Sequence, residues 1–361
     1  MTRPTKALID FSALRHNHDV ARRHAGNARL WSVIKANAYG HGALRVAQAL
    51  SAEADGFALV EMSIAIELRE AGIRQPILLL DGFYAPDELD ASVVHQLTPV
   101  MHRLDQVETI VRGNARYAEL PIYLKLNTGM NRLGLDPDGF RSALDLLREH
   151  KAPITLMTHF ADADEPLGIA SQLERFAALK GNLAYPTSLA NSAALLRFPE
   201  SSSDWARPGI MLYGASPFPQ MRSAAELGLK PVMTLESELM AVRKLHKGDR
   251  VGYGGAFVAD KALRIGIVAC GYGDGYPRHA PTGTPIMVDG VLTRTVGRVS
   301  MDKICVDLTG ISKARVGSPV TLWGNHGDKV VSADDVATSA GTVSYEIFCA
   351  LAARVSVVEQ H

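Results

Sequence analysis

From Leu30 onward, short runs that are apolar throughout alternate with longer segments whose apolar residues recur every three or four positions. The short runs are residues 30–34, 56–60, 76–80, 97–101, 122–126, 154–157, 187–189 and, with a weaker pattern, 206–212. Segments such as 43–50 and 62–71 carry the helical period. A run that is apolar on both faces suits a sheet covered on both sides, and hence a parallel one. Eight such runs alternating with helices in the first two-thirds of the chain predict a (β/α)8 barrel. An open doubly wound sheet has the same rhythm, but the glycine-rich turn that opens a helix in dinucleotide-binding sheets is absent.

The two ends of the chain differ from this middle. Residues 7–11 predict a short strand, followed by a helix with Ser12 as its N-cap. Near residue 225 the character changes. Residues 233–245 and 263–268 alternate in part, and 286–291, 293–296, 304–308 and 319–323 are short strand-like runs. Lys247-Gly-Asp249, Asp289-Gly290 and Asn325-His-Gly-Asp328 supply turns between them. Close spacing with turn signals predicts a small β-domain. The chain is thus read as α/β, with an N-terminal TIM-type (β/α)8 barrel over residues 1–225 and a C-terminal mainly-β domain over 226–361. Residues 333–355 look helical at their start, with Asp334 and Asp335 in an early turn. Ser201-Ser-Ser-Asp204 reads as a loop leading into the last barrel strand.

Composition narrows the picture. The 361 residues are 47% apolar and 21% charged, as in globular proteins. Lys plus Arg and Asp plus Glu number 38 each, a balance that suggests neither a nucleic-acid nor an anionic-membrane partner. The three cysteines, Cys270, Cys305 and Cys349, are odd in number and far apart, so neither a disulfide framework nor a structural zinc site is expected. The first residues lack the apolar core of a signal peptide, and no apolar segment is long enough to span a bilayer. The expected location is cytoplasmic.

Polar residues stand where most of the barrel runs stop: Lys35, Glu61, Asp81, His102, Asn127, His159 and Asn191. In a (β/α)8 barrel these strand ends ring one mouth, where substrates bind. Every strand must meet water, which accounts for polar stops in general. It accounts less well for a lysine, two histidines and several amides on one rim. Lysine closing a hydrophobic strand is costly to bury as a cation. Once desolvated it gives up its proton and becomes a nucleophile toward carbonyls; alternatively its tip reaches out to water. An imine-forming lysine implies a carbonyl partner, either a substrate or pyridoxal 5'-phosphate (PLP). A phosphate in turn needs backbone N–H donors, which Arg207-Pro-Gly-Ile210 and Asn191-Ser192 could supply late in the barrel. Arg207 facing a pyridine nitrogen would keep it unprotonated.

Each of these residues also has an ordinary account. Gly209 can be a turn glycine, Ser192 a helix cap, and Arg207 a surface arginine paired with Asp204. Tyr253, in Val251-Gly-Tyr-Gly-Gly255, can be a core tyrosine beside permissive turns. Gly271-Tyr-Gly-Asp-Gly-Tyr-Pro277 is followed by proline and opens no helix, so it is a loop signal more than a phosphate signal.

Taken together, several stretches resemble the alanine racemase family, PLP enzymes of fold type III, over nearly the whole chain. They are Val33-Ile-Lys-Ala-Asn-Ala-Tyr-Gly-His-Gly42, Leu124-Lys-Leu-Asn-Thr-Gly-Met-Asn-Arg-Leu-Gly134, Thr158-His-Phe-Ala161, Asn191-Ser192, Arg207-Pro-Gly-Ile210, Val251-Gly-Tyr-Gly254, Gly271-Tyr-Gly-Asp-Gly275, Gly297-Arg-Val-Ser-Met-Asp302 and Tyr345-Glu346. The resemblance implies that Lys35 binds PLP covalently and serves as one base. Tyr253 would be the second, reaching the partner's active site in a homodimer with shared sites. Tyr39, Tyr345, Ser192 and the backbone of Gly209 and Ile210 would hold the phosphate. Arg207 would face the pyridine nitrogen, with His159 bridging Arg207 and Tyr253. Arg132 and the partner's Met301 backbone would bind the substrate carboxylate. Lys125 matches a lysine often carbamylated in the family, a change that would let it fix Arg132 as an anion. Asn127 departs from the aspartate many members carry, and Phe257 and Ser300 occupy variable places.

The implied activity is interconversion of L- and D-alanine by two bases on opposite faces, serving peptidoglycan synthesis or D-alanine breakdown, with no metal. A same-fold racemase acting on serine or lysine is the alternative. A fold type III decarboxylase would need a catalytic cysteine motif and a glycine-rich phosphate loop in the β-domain, and neither is found. A PLP carrier would be essentially a lone barrel, without the domain that holds Tyr253 and Met301.

Overall fold

The computed structural model describes residues 3–201 and 203–361. Of the loop read at Ser201-Ser-Ser-Asp204, Ser202 lies outside the described residues. The described chain forms two compact units. One comprises Asn17–Ala38 and Gly42–Leu212; the other gathers the segment up to His16, Tyr39–His41 and Tyr213–His361.

The first unit is a closed barrel of eight parallel strands: Arg29–Val33, Gly56–Leu59, Ile77–Leu79, Leu97–Met101, Ile122–Lys125, Ile154–Met157, Thr187–Asn191 and Trp205–Arg207. The last closes on the first through Arg29 opposite Trp205 and Leu30 opposite Ala206. Every predicted run supplies one of these strands. The eighth differs most, because strand 206–212 is cut at Pro208. Proline has no N–H to continue a ladder, and the chain turns at Gly209 into a short 3-10 segment, Ile210–Tyr213. Aromatic packing ties the first and last strands together. Trp31 stacks on Trp205 with ring centres 4.2 Å apart, and its indole N–H donates to Tyr123 Oη at 2.9 Å. Such a pair adds about 0.5–1.5 kcal/mol beyond its buried area.

In the second unit a nine-stranded sheet is built around Met233–Leu245. That strand pairs antiparallel with Lys6–Asp10, Leu263–Val268 and Pro319–His326. The N-terminal strand therefore lies in the sheet of the C-terminal segment. Its alternation puts Ala7 and Ile9 in the core, and Ser356–Gln360 pairs with it in parallel on the far side. Pro285–Val288 and Val291–Arg294 form a hairpin closed by Asp289 (φ 48°) and Gly290 (φ 70°), so the predicted strand 286–291 breaks at that turn. Residues 333–355 give two short helices, Ala333–Ser339 and Ser344–Cys349, separated at Gly341.

The predicted N-cap at Ser12 is displaced by two residues. The helix Phe11–Ala25 is capped by Asp10, whose carboxylate accepts from Ala13 N at 2.9 Å and from Ser12 Oγ at 2.7 Å. A carboxylate at that place also meets the positive end of the helix dipole, which a hydroxyl does not. Among the described residues, no helix is long and apolar enough to cross a membrane.

Candidate active site

Lys35 follows the first barrel strand, and there the backbone changes hand. Ala36, Asn37, Ala38 and Tyr39 have φ values of 51, 53, 52 and 51°. Each L-residue held this way costs about 1–2 kcal/mol, so the turn persists only if its surroundings over-determine it. Asn37 does much of this. Its Oδ1 accepts from Ala43 N at 2.8 Å, its carbonyl accepts from Gly42 N at 2.9 Å, and asparagine is among the residues most tolerant of this conformation. Ala38 N donates back to Ile34 O at 2.8 Å.

Cations converge at the strand ends of the barrel unit. Lys125 closes its strand and is buried. Burial first, then the charges of Arg207, Arg132 and Lys35, push its ammonium down to about 8, against an opposing pull from Asp81. The His159 ring is held well below its ordinary value by burial and then by Arg207, Lys125, Arg132 and Lys35, so it is neutral. Lys125 and Arg207 are buried, Lys35 is half-buried and Arg132 is exposed, and this excess of positive charge favours an anion.

Arg207 is buried, not a surface residue paired with Asp204. Its guanidinium donates to Ser188 Oγ at 2.7 Å, Thr158 O at 2.6 Å and Leu189 O at 3.1 Å, and lies 3.4 Å from His159 Nδ1. Asp204 instead accepts from Thr187 N at 2.7 Å and Oγ1 at 3.2 Å. Burial lowers the guanidinium to about 10, which leaves it charged at neutral pH. The cap assigned to Ser192 belongs to Asn191, which accepts from Ala194 N at 2.9 Å. Ser192 Oγ accepts from Gly209 N at 2.8 Å and so draws the Asn191-Ser192 and Pro208–Ile210 segments together. Arg132 is exposed, on a loop folded around Asn127. Asn127 Oδ1 accepts from Gly129 N and Asn131 N, both at 3.1 Å, and its amide donates to Asn131 Oδ1 at 3.0 Å. A carboxylate could not make that last bond.

The other predicted residues lie in the second unit. Tyr39 is buried against Tyr213, with centroids 4.8 Å apart, and lies 5.9 Å from the Tyr345 ring. Burial raises the Tyr39 and Tyr213 phenols above their ordinary value, so both remain neutral donors. His41 Nδ1 lies 2.9 Å from Tyr39 O, and its ring packs on Tyr213 and Phe348. Tyr253 is not a core tyrosine: it is 69% exposed, on a turn between Gly252 (φ 72°) and Gly254 (φ 70°). Met301 is exposed as well.

Sequence reasoning missed Tyr213, Ser188 and the bond by which Asn37 holds the turn after Lys35 to Ala43. Ser188 carried a usable signal, being a small polar residue inside a barrel strand whose interior is buried. For Tyr213 there was none.

Family profiles match most of the chain: "Alanine racemase, N-terminal domain" over residues 9–217 and "Alanine racemase, C-terminal domain" over residues 232–359. An alanine racemase of Nitrosomonas eutropha is 52% identical over 364 residues, covering 98% of each chain. A catabolic alanine racemase of Klebsiella aerogenes is 52% identical over 360 residues, covering 99% of each. The crystal structure of the biosynthetic alanine racemase from Pseudomonas aeruginosa superposes with a TM-score of 0.94 at 43% identity and covers 100% of both chains.

Proposed function

The chain belongs to the alanine racemase family, and on that premise we propose that it is a PLP-dependent isomerase that interconverts L- and D-alanine. One observation carries the proposal: Lys35, Lys125, Arg132 and Arg207 converge on a neutral His159 at the strand ends of the barrel. That excess of positive charge fits a cofactor bearing a phosphate and a substrate bearing a carboxylate. When bound, PLP acts as an electron sink that makes the substrate Cα–H acidic.

The remaining work falls to the chain itself. Lys35 anchors the cofactor and moves a proton on one face. The Tyr253 phenol moves it on the other, in the active site of a second copy; its exposure in the single chain supports this reading. Ser192, the backbone of Gly209 and Ile210, the neutral phenol of Tyr39 and the Tyr345 hydroxyl would hold the phosphate. Arg207 is locked by Ser188, Thr158 and Leu189 and remains a cation. Facing the pyridine nitrogen, it would keep that atom unprotonated, because two adjacent cations repel. His159 passes the orientation of Arg207 on to Tyr253. Arg132 and the partner's Met301 N–H grip the carboxylate. Lys125, with its depressed ammonium, can add carbon dioxide and become an anion that fixes Arg132.

The test is proton exchange in deuterated water with L- or D-alanine as substrate. The Tyr253→Phe holoenzyme is expected to lose exchange with one enantiomer far more than with the other. Equal losses would remove the case for two separate bases. Turnover of serine or lysine above alanine would overturn the substrate assignment.

A further inference from the structure

The stretch Gly271-Tyr-Gly-Asp-Gly275 takes no part in the reaction as described, yet its aspartate is a hub of the second unit. Asp274 is 1% exposed. Its Oδ1 accepts from Arg3 at 2.7 Å and from Arg354 Nε at 2.8 Å. Its Oδ2 accepts from Arg3 at 2.9 Å and from Gly271 N at 2.9 Å. Two cations and a backbone amide thus fix one buried carboxylate and the turn that bears it.

That turn holds the loop of Met301. Tyr272 N donates to Ser300 O at 3.1 Å, and Gly273 N donates to Met301 O at 2.8 Å. The peptide joining Ser300 to Met301 is planar and trans, so clamping the Ser300 carbonyl aims the Met301 N–H in the opposite direction. Glycine is needed for this approach: a Cβ at Gly271 would lie 2.2 Å from Ser300 O, and one at Gly273 would lie 3.0 Å from Met301 O. Arg354 secures the other side of Met301, donating to Asp302 Oδ1 at 2.7 Å while it binds Asp274.

We propose that Asp274, with Arg354, is a positioning residue that aims the Met301 N–H at the substrate carboxylate. The glycine-rich motif is the clamp and not a phosphate loop. The inference rests on the assignment of Met301 to the carboxylate made above.

The test compares wild-type and Asp274→Asn holoenzymes in three measurements: amide exchange in the 298–303 segment, KM and kcat for alanine, and inhibition by propionate and by propylamine. Propionate carries a carboxylate; propylamine does not. The variant is expected to exchange at least tenfold faster in that segment. KM and the propionate inhibition constant should rise together about tenfold, while kcat and the propylamine constant stay within threefold. That split marks an interaction made equally in ground and transition states, and general loosening of the fold would not produce it. Unchanged exchange would overturn the clamp. Faster exchange with unmoved KM and propionate binding would leave the clamp standing and overturn the carboxylate assignment, and with it the proposed role. Arg354 is partly exposed, so Arg354→Gln serves if the first variant fails to fold. Its expected shifts are in the same directions and about threefold, and their absence would equally overturn the proposal.

Discussion

Lys125 offers a direct reading of what the barrel mouth costs the fold. Its ammonium stands at about 8 in the folded protein against an ordinary 10.5. At ~1.4 kcal/mol per pH unit, that gap is a penalty of about 3 kcal/mol on the charged form. The sign follows from proton counting. Between pH 8 and 10.5 the unfolded chain binds the proton and the folded chain has released it, so stability rises with pH across that window. Below pH 8 both states are charged and the folded one carries the whole penalty. Above 10.5 neither is charged and the penalty is gone. Lys125→Met keeps the length of the side chain and removes the charge.

In buffer free of carbon dioxide, Lys125→Met is therefore expected to stabilise the barrel by about 3 kcal/mol at pH 6–7, with the gain vanishing above pH 10.5. Urea unfolding followed by tryptophan emission measures this in a Trp323→Phe background. There the remaining indoles, Trp31 and Trp205, both report from the barrel. Bicarbonate adds a second arm. Roughly one amine in ten is neutral at pH 7 for a group titrating near 8, enough to add carbon dioxide. The resulting anion, set among Arg132 and Arg207, should raise wild-type stability and leave the variant unmoved. A Lys125→Met protein that is no more stable than wild type at pH 6–7 without carbon dioxide would refute the reasoning.

Two further outcomes follow from local geometry. Asn37→Ala loses the bond to Ala43 N and the tolerance of asparagine for positive φ; a loss of about 2 kcal/mol is expected in the local stability of the turn after Lys35, read as about thirtyfold faster exchange at the Ala43 amide. Gly214→Ala puts a Cβ 1.9 Å from Lys230 O at φ 80°, which should lower the melting temperature of the C-terminal unit by several degrees, a cost above about 2 kcal/mol.

The barrel was legible in the chain because its signal is local. A strand buried on both faces must be apolar throughout, a covering helix must repeat its apolar residues every three to four positions, and eight repetitions leave few closed solutions. The rim residues were legible for the same reason, as polar stops at the ends of apolar runs. The β-domain was legible as a kind of structure, through its turn glycines and short alternating runs. Its pairing partners were not. That Lys6–Asp10 lies between Met233–Leu245 and Ser356–Gln360 depends on contacts separated by more than two hundred residues, which no local period encodes. The same limit separated the ordinary from the functional account of single residues. Arg207 beside Asp204 and Ser192 at a helix start are sound neighbours in sequence. Only the pairing of the last barrel strand with its neighbour Thr187–Asn191 buries the guanidinium among Ser188, Thr158 and Leu189 and brings Gly209 to the serine hydroxyl. Residue types and their rhythm are fixed by the chain itself; which charge is desolvated, and by whom it is faced, is decided when distant segments pack.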